Sequence, residues 1–504
     1  MPIAIVNSIA SWFFKKRYHQ IELFLKYPNE VQHELLVQLL QKAKNTELGK
    51  KYDFASITSY LEFSNRLPVT TYEDNQELYE RARKGESNIF WPTSIKWFAK
   101  SSGTTAGRSK FIPVSPEALE DCHYAASKDL LCLYFHNNPD SQLFVGKSLR
   151  LGGSKELYKE NKTVYGDLSA ILIDNMPFWA EFSSTPSNEV SLLADWEIKM
   201  QAIVSETIKE NVTSIAGVPS WMLVLLNQVL ETTQASHLFE VWKNLEVYFH
   251  GGVSFEPYRE QYKKLFPNDT FRYYEIYNAS EGFFAIQDRN ESNELLLMLD
   301  YGIFYEFIPM DTYGTEDEKI IPLSEVEKDK NYAIVITTNA GLWRYKIGDT
   351  VRFTSIAPYR IKITGRTKHH INAFGEELII ENAETALSKA SLLTHSEILE
   401  YTAASVFMEG KEKGSHEWII EFKTPPNDFK TFTQLLDKFL QEENSDYEAK
   451  RFNNTTLNFP TVHIARKGLF YDWLKKHNKL GGQHKVPRLS NSRNFLEELL
   501  KMNN

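Results

Sequence analysis

Apolar residues recur along this chain with two different periods, which separate its helices from its strands. Between residues 18 and 45 they are spaced by three and four, and the same spacing returns near 191–210, so helices are predicted in both stretches. Short runs rich in β-branched and aromatic residues predict strands at 245–250, 271–277 and 333–337. Helices interleaved with buried strands indicate an α/β or α+β body.

The pattern changes near Gly365. A strand predicted at 359–365 ends on that glycine, a polar run follows, and a helix is expected to begin within 376–384. A strand at 418–422 and a helix at 429–440 come next. These elements predict a small α+β unit at the end of the chain.

Length supports more than one domain, since 504 residues with 42% hydrophobic content exceed what one core usually organises. We predict a large N-terminal domain over residues 1–366 with mixed sheets and helices. A small, mobile C-terminal domain is predicted over 371–504, with the hinge at about 366–370.

Charge and cysteine content narrow the class of protein. A net charge of -9 and a pI near 5.9 give no electrostatic reason to expect nucleic acid or an anionic membrane as partner. The two cysteines, Cys122 and Cys132, lack metal-ligand spacing, which favours a reducing compartment. We therefore expect a soluble, cytoplasmic protein, and no motif indicates a protein partner.

The first 14 residues are apolar but are interrupted by polar residues, and basic residues follow the run instead of preceding it. This order predicts an amphipathic first helix that packs on the body, in preference to a signal peptide. No later segment approaches the ~20 apolar residues that would span a bilayer.

The strongest candidate chemistry lies in the segment 101–110, which reads SSGTTAGRSK. Its glycines allow the backbone amides to turn inward, its hydroxyls supply donors for phosphate oxygens, and Lys110 adds a positive charge. A phosphate-binding loop is therefore predicted after a strand at 95–99. The residues assigned to phosphate are Ser101, Ser102, Gly103, Thr104, Thr105, Gly107 and Lys110.

Two alternatives bear on this loop. A polar hairpin turn has the same composition, because Ser, Thr and Gly favour turns. A Walker A motif is a poor fit, since counting from Gly103 places Arg108, Ser109 and Lys110 where Gly-Lys-Ser/Thr is required.

The segment 277–281, with sequence YNASE, follows a predicted strand. The ring of Tyr277 is expected to stack on adenine, and the carboxylate of Glu281 to hold Mg²⁺. Asn278 and Glu281 also have the spacing of a capping box that starts a helix, and a helix N-terminus would itself suit an anion.

Asp349 follows a glycine and is expected to lie between two strands, where its carboxylate suits the two ribose hydroxyls. Arg366 would contact ribose or phosphate. Taken alone, the Gly-Asp pair is an ordinary turn and the arginine a surface charge.

Four segments in chain order resemble the core motifs of the adenylate-forming superfamily, which includes acyl-CoA synthetases and luciferases. They are Ser101–Lys110, Tyr277–Glu281, Tyr345–Asp349, and Gly365–Lys368 with Phe374–Glu376. Asn278 stands where that superfamily usually has glycine, so its side chain is expected to narrow the space beside the nucleotide.

Within the superfamily the chain resembles the Gretchen Hagen 3 family of auxin-responsive acyl acid amido synthetases. The resemblance rests on the SSGT opening at 101–104, on Leu67–Tyr72, and on Gln483–Arg488. It implies that the chain uses ATP and Mg²⁺ to adenylate a carboxylic acid and joins the acyl group to an amino acid. An acyl-CoA ligase and a non-catalytic nucleotide-binding protein are the alternatives.

The resemblance also implies further site residues. Gly252 and Val253, after a predicted strand, would line the adenine and acyl pockets, although a Gly-Gly turn explains them equally well. Asn278, Ala279 and Ser280 would border the nucleotide. The C-terminal domain would carry Lys485 onto the phosphates, whereas a solvated charge is the ordinary interpretation of a basic tail.

Overall fold

The computed structural model describes residues 17–101, 110–151, 157–160, 162–176, 183–191, 193, 196–252, 255, 258–367, 370–371, 374, 376, 378–408, 413–452, 457–477 and 486–503. The amphipathic segment expected over the first 14 residues lies outside these ranges. Within them, no helix is both long enough and apolar enough to cross a membrane.

The helices follow the spacing of the apolar residues. Residues 17–26 are helical and the next helix is Pro28–Ala43, as predicted for 18–45. The predictions near 191–210 and at 429–440 are confirmed by the helices Trp196–Thr207 and Phe429–Glu443. The other α-helices are Glu47–Lys51, Tyr60–Arg66, Gln76–Arg83, Ala125–Asn137, Leu168–Asp174, Asn188–Ser191, Pro219–Thr233, Leu238–Val241, Arg259–Leu265, Ile380–Thr394, Ser445–Arg451, Leu469–Lys476 and Asn494–Asn503.

The strands, in chain order, are β1 (Trp97–Ser101), β2 (Lys110–Val114), β3 (Lys147–Leu151), β4 (Tyr158–Glu160), β5 (Thr163–Gly166), β6 (Ser184–Thr185), β7 (Val212–Gly217), β8 (Val247–Gly251), β9 (Arg272–Ala279), β10 (Gly282–Ile286), β11 (Leu295–Leu297), β12 (Ile303–Pro309), β13 (Ile321–Pro322), β14 (Asn331–Thr338), β15 (Tyr345–Ile356), β16 (Tyr359–Arg366), β17 (His370–Ile371), β18 (Leu378–Ile379), β19 (Glu397–Val406), β20 (Ser415–Thr424), β21 (Thr461–Ala465) and β22 (Leu489–Ser490). The five predicted strands between 245 and 422 are confirmed by β8, β9, β14, β16 and β20.

The described strands include one twelve-stranded sheet that changes character at β9. Its order is β13-β12-β14-β15-β16-β11-β10-β9-β8-β7-β3-β6. The strands from β13 to β9 pair antiparallel, whereas β9, β8, β7, β3 and β6 pair parallel. The carboxyl ends of parallel strands meet at one edge, which is where open α/β sheets bind their ligands. The mixed α/β fold class is thus confirmed.

Besides the pair β17-β18, the described strands form two four-stranded sheets. The first has the order β2-β1-β5-β4 and contains the hairpin on which the predicted phosphate loop sits. The second, β21-β20-β19-β22, is formed by residues after 396, and the helices Ile380–Thr394 and Phe429–Glu443 belong to the same part of the chain.

The C-terminal part packs on the helix Pro219–Thr233. Trp221 donates its indole N–H to the carbonyl of Phe374 over 3.1 Å, and the ammonium of Lys450 lies 3.9 Å from the centroid of the Trp221 ring. Buried apolar residues of both parts, including Leu223 and Trp418, belong to one continuous core. The boundary at 366–371 stays a prediction.

Candidate active site

The predicted phosphate loop connects the two strands of a hairpin. Ser101 ends β1 and pairs with Lys110, which begins β2. The Lys110 ammonium lies 5.9 Å from the ring centroid of Tyr72, whose hydroxyl accepts a hydrogen bond from the backbone N–H of Phe111. The structure thus fixes both ends of the loop, and a hairpin connection is compatible with either interpretation of its sequence.

Several residues assigned to phosphate lie between these ends and outside the described residues, so their role stays a prediction. They are Ser102, Gly103, Thr104, Thr105 and Gly107.

The segment 277–281 forms a second hairpin, and the prediction of a capping box is wrong. Asn278 and Ala279 end β9, Ser280 and Glu281 form the turn, and β10 begins at Gly282. Sheet pairing prevails over the capping pattern because the residues that follow are all buried in β10. A Cβ at Gly282 would lie 2.7 Å from Cδ1 of Ile303, so a side chain here would require Ile303 to shift.

Two predicted site residues, Tyr277 and Arg366, contact a third, Asp349. The Tyr277 hydroxyl donates to Oδ2 over 2.6 Å, and Nε of Arg366 donates to Oδ1 over 2.8 Å. Both Tyr277 and Asp349 are buried. The burial of Tyr277 and, after it, the negative charge of Asp349 hold the pKa of Tyr277 well above the usual value, so its hydroxyl remains a donor. Each carboxylate oxygen still has a lone pair for another donor.

Asp349 lies inside β15, and the expectation that it falls between two strands is wrong. The pairing of β14 with β15 passes from Val335–Lys346 to Ala333–Thr350, which leaves extra residues on β15. Gly348 has φ +89° within this irregularity, a backbone conformation that glycine adopts readily. The bulge turns Asp349 toward Tyr277, since an extra residue re-aims the side chains of a strand.

Glu281 lies among the charges of Lys110, Asp349 and Arg366. Burial raises its pKa to about 7; the positive charge of Lys110 opposes that shift, Asp349 adds to it, and Arg366 opposes it. Two cations and two carboxylates are therefore close enough to act on one another. Such a mixture suits an anionic ligand that brings its own metal ion.

Sequence reasoning gave no role to the hydroxyl of Tyr345, although this residue opens the motif that ends at Asp349. Tyr345 is fully buried, and its hydroxyl has no hydrogen-bond partner among the described residues. Burial raises its pKa well above the usual value, and the negative charge of Glu281 contributes to the shift. A buried, unpaired donor near Glu281 suits a ligand oxygen.

The predicted wall of the nucleotide pocket begins where β8 ends. A Cβ at Gly251 would lie 2.5 Å from the carbonyl oxygen of Ile276, and Gly252 has φ +85°. His250 stacks on Phe255 at 4.2 Å, and burial lowers its pKa to about 3, with the charge of Arg259 adding to the effect. Close packing thus requires glycine at 251 and the backbone conformation favours it at 252, and their contact with a ligand stays a prediction. Val253 lies outside the described residues.

Lys485 also lies outside the described residues, but the segment that follows it is attached to the C-terminal sheet. Val486 is buried, and the Thr402 hydroxyl donates to the carbonyl of Pro487 over 2.5 Å. The backbone N–H of Ala403 donates to the carbonyl of Arg488 over 2.9 Å. The residues directly after Lys485 are therefore held on the C-terminal sheet.

Two solved structures share the overall fold of this chain. The GH3.15 acyl acid amido synthetase aligns with a TM-score of 0.59 at 17% identity, covering 94% of this chain and 93% of that one. A 2-hydroxyisobutyryl-CoA ligase in complex with 2-HIB-AMP and CoA aligns with a TM-score of 0.58 at 13% identity, covering 94% and 92%. The chain thus has the fold of these two enzymes.

The chain belongs to the GH3 family. Models of that family's N-terminal, central and C-terminal domains match residues 17–271, 296–366 and 381–494. An indole-3-acetic acid-amido synthetase, GH3.3 of Arabidopsis thaliana, is 23% identical over 93% of this chain and 90% of its own length. The jasmonoyl–L-amino acid synthetase JAR4 of Nicotiana attenuata is 23% identical over 66% and 68%.

Proposed function

We propose that this protein is an ATP-dependent acyl acid amido synthetase. It adenylates a small carboxylic acid and transfers the acyl group to the amine of an amino acid, releasing pyrophosphate and then AMP. The observation that carries the proposal is the junction of Tyr277, Arg366 and Asp349 beside the charges of Glu281 and Lys110. The relatives named as amido synthetases support it.

In the first half-reaction the substrate carboxylate attacks the α-phosphorus of ATP. A bond forms between a carboxylate oxygen and phosphorus, and the bond from that phosphorus to pyrophosphate breaks. Negative charge builds on the phosphate oxygens, and the cations of Lys110 and Arg366 stabilise it. Asp349 is oriented by Tyr277, and its remaining lone pairs accept hydrogen bonds from the ribose hydroxyls.

A magnesium ion fits this arrangement. Within the described ranges no cluster of three or more His, Cys, Asp or Glu side chains forms a metal cage. Nucleotide-bound Mg²⁺ needs only one or two carboxylates, because phosphate and water supply its other ligands. Glu281 is such a carboxylate, and because burial raises its pKa to about 7, a cation bound beside it would favour its charged form. Bound there, the ion would neutralise charge on the phosphates.

In the second half-reaction the amine nitrogen attacks the acyl carbon. A C–N bond forms, the bond from the acyl carbon to the AMP oxygen breaks, and the ammonium intermediate loses its proton to solvent. We propose that the C-terminal domain turns about Lys368 between the two steps and that Lys485 contacts the phosphates in the first. Such movements let one pocket serve two half-reactions.

An acyl-CoA ligase is the second candidate, because the 2-hydroxyisobutyryl-CoA ligase shares this fold. Both enzymes would form the same adenylate, so only the second product differs. Mass spectrometry after incubation with acid, ATP and either CoA or mixed amino acids separates them. An amide product supports the proposal, and a thioester overturns it in favour of the ligase.

The first test is pyrophosphate–ATP exchange across aromatic, indolic and aliphatic acids. Lys110→Ala is expected to reduce the exchange rate by about 100-fold, since it removes a cation from the developing charge. Lys96→Ala is the matched control, because Lys96 is exposed and lies before the other end of β1. If no acid drives exchange, the protein is a non-catalytic nucleotide-binding protein and the proposal fails.

We also propose a cytoplasmic location and small-molecule acid and amino acid substrates. The location is supported by Cys122 and Cys132, both of which are buried thiols.

A further inference from the structure

Arg150 occupies a row of side chains close to the ligand-binding edge of the sheet. In the parallel register it pairs with Ala216, Ala216 with Phe249, and Phe249 with Tyr274. The helix Ala125–Asn137 covers this row, since the Tyr134 ring lies 5.7 Å from Phe249 and 5.2 Å from Tyr274. The neighbours of Arg150 on β3, Leu149 and Leu151, belong to the core on the opposite face. Arg150 therefore lies between the sheet and this helix, one residue from the carboxyl end of β3.

The guanidinium of Arg150 is poorly matched by its surroundings. Its Nη1 lies 3.1 Å from Sδ of Met176, and a thioether is a weak acceptor. Burial lowers the pKa of Arg150, and no carboxylate among the described residues opposes that shift.

Three other arginines that are buried or half-buried in the described structure each pair with a carboxylate. Arg344 pairs with Glu306 at 2.7 Å, Arg451 with Asp437 at 2.7 Å, and Arg17 with Asp129 at 2.6 Å. Removing a cation from water without such a partner is unfavourable, and an anionic ligand can supply the missing charge.

The position of Arg150 also argues against the activated carboxylate as its ligand. That group must reach the α-phosphate near Glu281, which follows β9, whereas Arg150 lies on β3, three strands away. Three strand spacings amount to about 14 Å. This separation favours a carboxylate other than the activated one as the partner of Arg150.

We propose that Arg150 binds a second substrate carboxylate and so determines specificity. This inference rests on the proposed function. The second carboxylate belongs either to the far end of the acyl acid or to the acceptor amino acid. A guanidinium recognises both sources through the same two-pronged hydrogen bonding.

The test uses Arg150→Met, which keeps the volume and removes the charge, and Arg150→Lys, which keeps the charge. Pyrophosphate–ATP exchange is measured with matched acids: hexanoate against adipate, octanoate against suberate, and benzoate against terephthalate. If the acyl acid is the source, Arg150→Met raises KM for the diacid roughly 10- to 100-fold and leaves the monoacid unchanged. Arg150→Lys restores part of the difference.

If the acceptor is the source, Arg150→Met leaves exchange unchanged for every acid. In amide formation it then raises KM for the amino acid and leaves KM for the corresponding amino acid amide unchanged. Equal effects on monoacid and diacid, or on amino acid and amide, would show a structural role and overturn the inference, as would no effect in either assay.

Thermal unfolding separates this inference from the proposed function. Without catalysis, adipate, suberate, terephthalate or an amino acid should raise the Tm of the wild-type protein and not that of Arg150→Met. If the wild-type protein catalyses no exchange but shows these shifts, the proposed function fails and the carboxylate site stands. If exchange occurs and no probe distinguishes the two proteins, only the inference fails.

Discussion

The hydroxyl of Tyr277 donates a 2.6 Å hydrogen bond to Oδ2 of Asp349, although 72 positions separate the two residues. This contact joins the end of β9, where the sheet changes from parallel to antiparallel, to the irregular part of β15. It orients the carboxylate, whose other oxygen is held by Arg366. The contact makes Tyr277 a residue that positions Asp349, and the predicted stacking of its ring on adenine remains to be tested.

Tyr277→Phe is therefore expected to raise KM for ATP by roughly 10-fold in the exchange assay. The substitution removes a hydrogen bond to a charged group, and Asp349 then meets the ribose in more than one orientation. Tyr273→Phe is the control on the same strand, because the Tyr273 hydroxyl is buried with no partner among the described residues. An unchanged KM in Tyr277→Phe would show that Arg366 alone orients Asp349.

Glu281 predicts a pH dependence of stability in the ligand-free protein. Its pKa is about 7 in the fold and 4.5 when exposed, so between these values the native state retains a proton that the unfolded chain has released. The free energy of unfolding falls as pH rises from 4.5 to 7, by at most about 3 kcal/mol, and this contribution then levels off. Below pH 4.5 the contribution is fully present.

Urea unfolding at pH 5 and pH 8 tests this prediction. Glu281→Gln removes the titrating carboxylate, so its free energy of unfolding should fall less between pH 5 and pH 8 than that of the wild type. The stability of the variant relative to the wild type should therefore be greater at pH 8 than at pH 5. Glu260→Gln, at an exposed position, should follow the wild-type profile. Parallel profiles for wild type and Glu281→Gln would show that the Glu281 carboxylate is not destabilised in the fold.

The buried ion pair of Arg344 with Glu306 is expected to hold the segment Tyr345–Asp349 in place. Arg344 also donates to the carbonyl oxygens of Ser64 and Leu67, at 2.8 and 2.6 Å, just before the stretch that pairs with Tyr345. Arg344→Met should lower the free energy of unfolding by about 3–5 kcal/mol, because it leaves Glu306 buried without its cation.

Chemical denaturation measures this loss, and the exposed pair of Lys263 with Glu260 supplies the control. Lys263→Met should change stability by less than about 1 kcal/mol. A similar small change in Arg344→Met would mean that Tyr60, which donates to Glu306 over 3.0 Å, satisfies the carboxylate by itself.

Tyr345→Phe should have opposite effects on stability and on nucleotide binding. The buried hydroxyl has no partner among the described residues, so its removal should stabilise the ligand-free protein by about 1 kcal/mol. If the hydroxyl donates to a phosphate oxygen, KM for ATP rises at the same time. Tyr305→Phe is the matched control, since its hydroxyl is also buried and unpaired in the described structure. Equal KM values in the two variants would place Tyr345 outside the site.

Local patterns were enough to predict most helices and strands of this protein. The spacing over 18–45 and the apolar runs at β8, β9 and β14 each match an observed element. These predictions succeed because burial of one face depends on residues close together in the sequence. The prediction of a capping box at 277–281 was wrong for the complementary reason. The capping pattern is local, whereas the observed pairing of β9 with β10 depends on the residues that follow and on their packing against Ile303.

By itself, the sequence determined the fold class, the order of the motifs and, through the segments 67–72, 101–104 and 483–488, a family that the family models then confirmed. Only the tertiary structure decided that Tyr277 orients Asp349, that Glu281 has a raised pKa, and that Arg150 meets a thioether and no carboxylate among the described residues. Composition and periodicity record which residues are buried. A charge's partner depends on distances between strands that lie far apart in the sequence, and electrostatic energies change steeply with those distances.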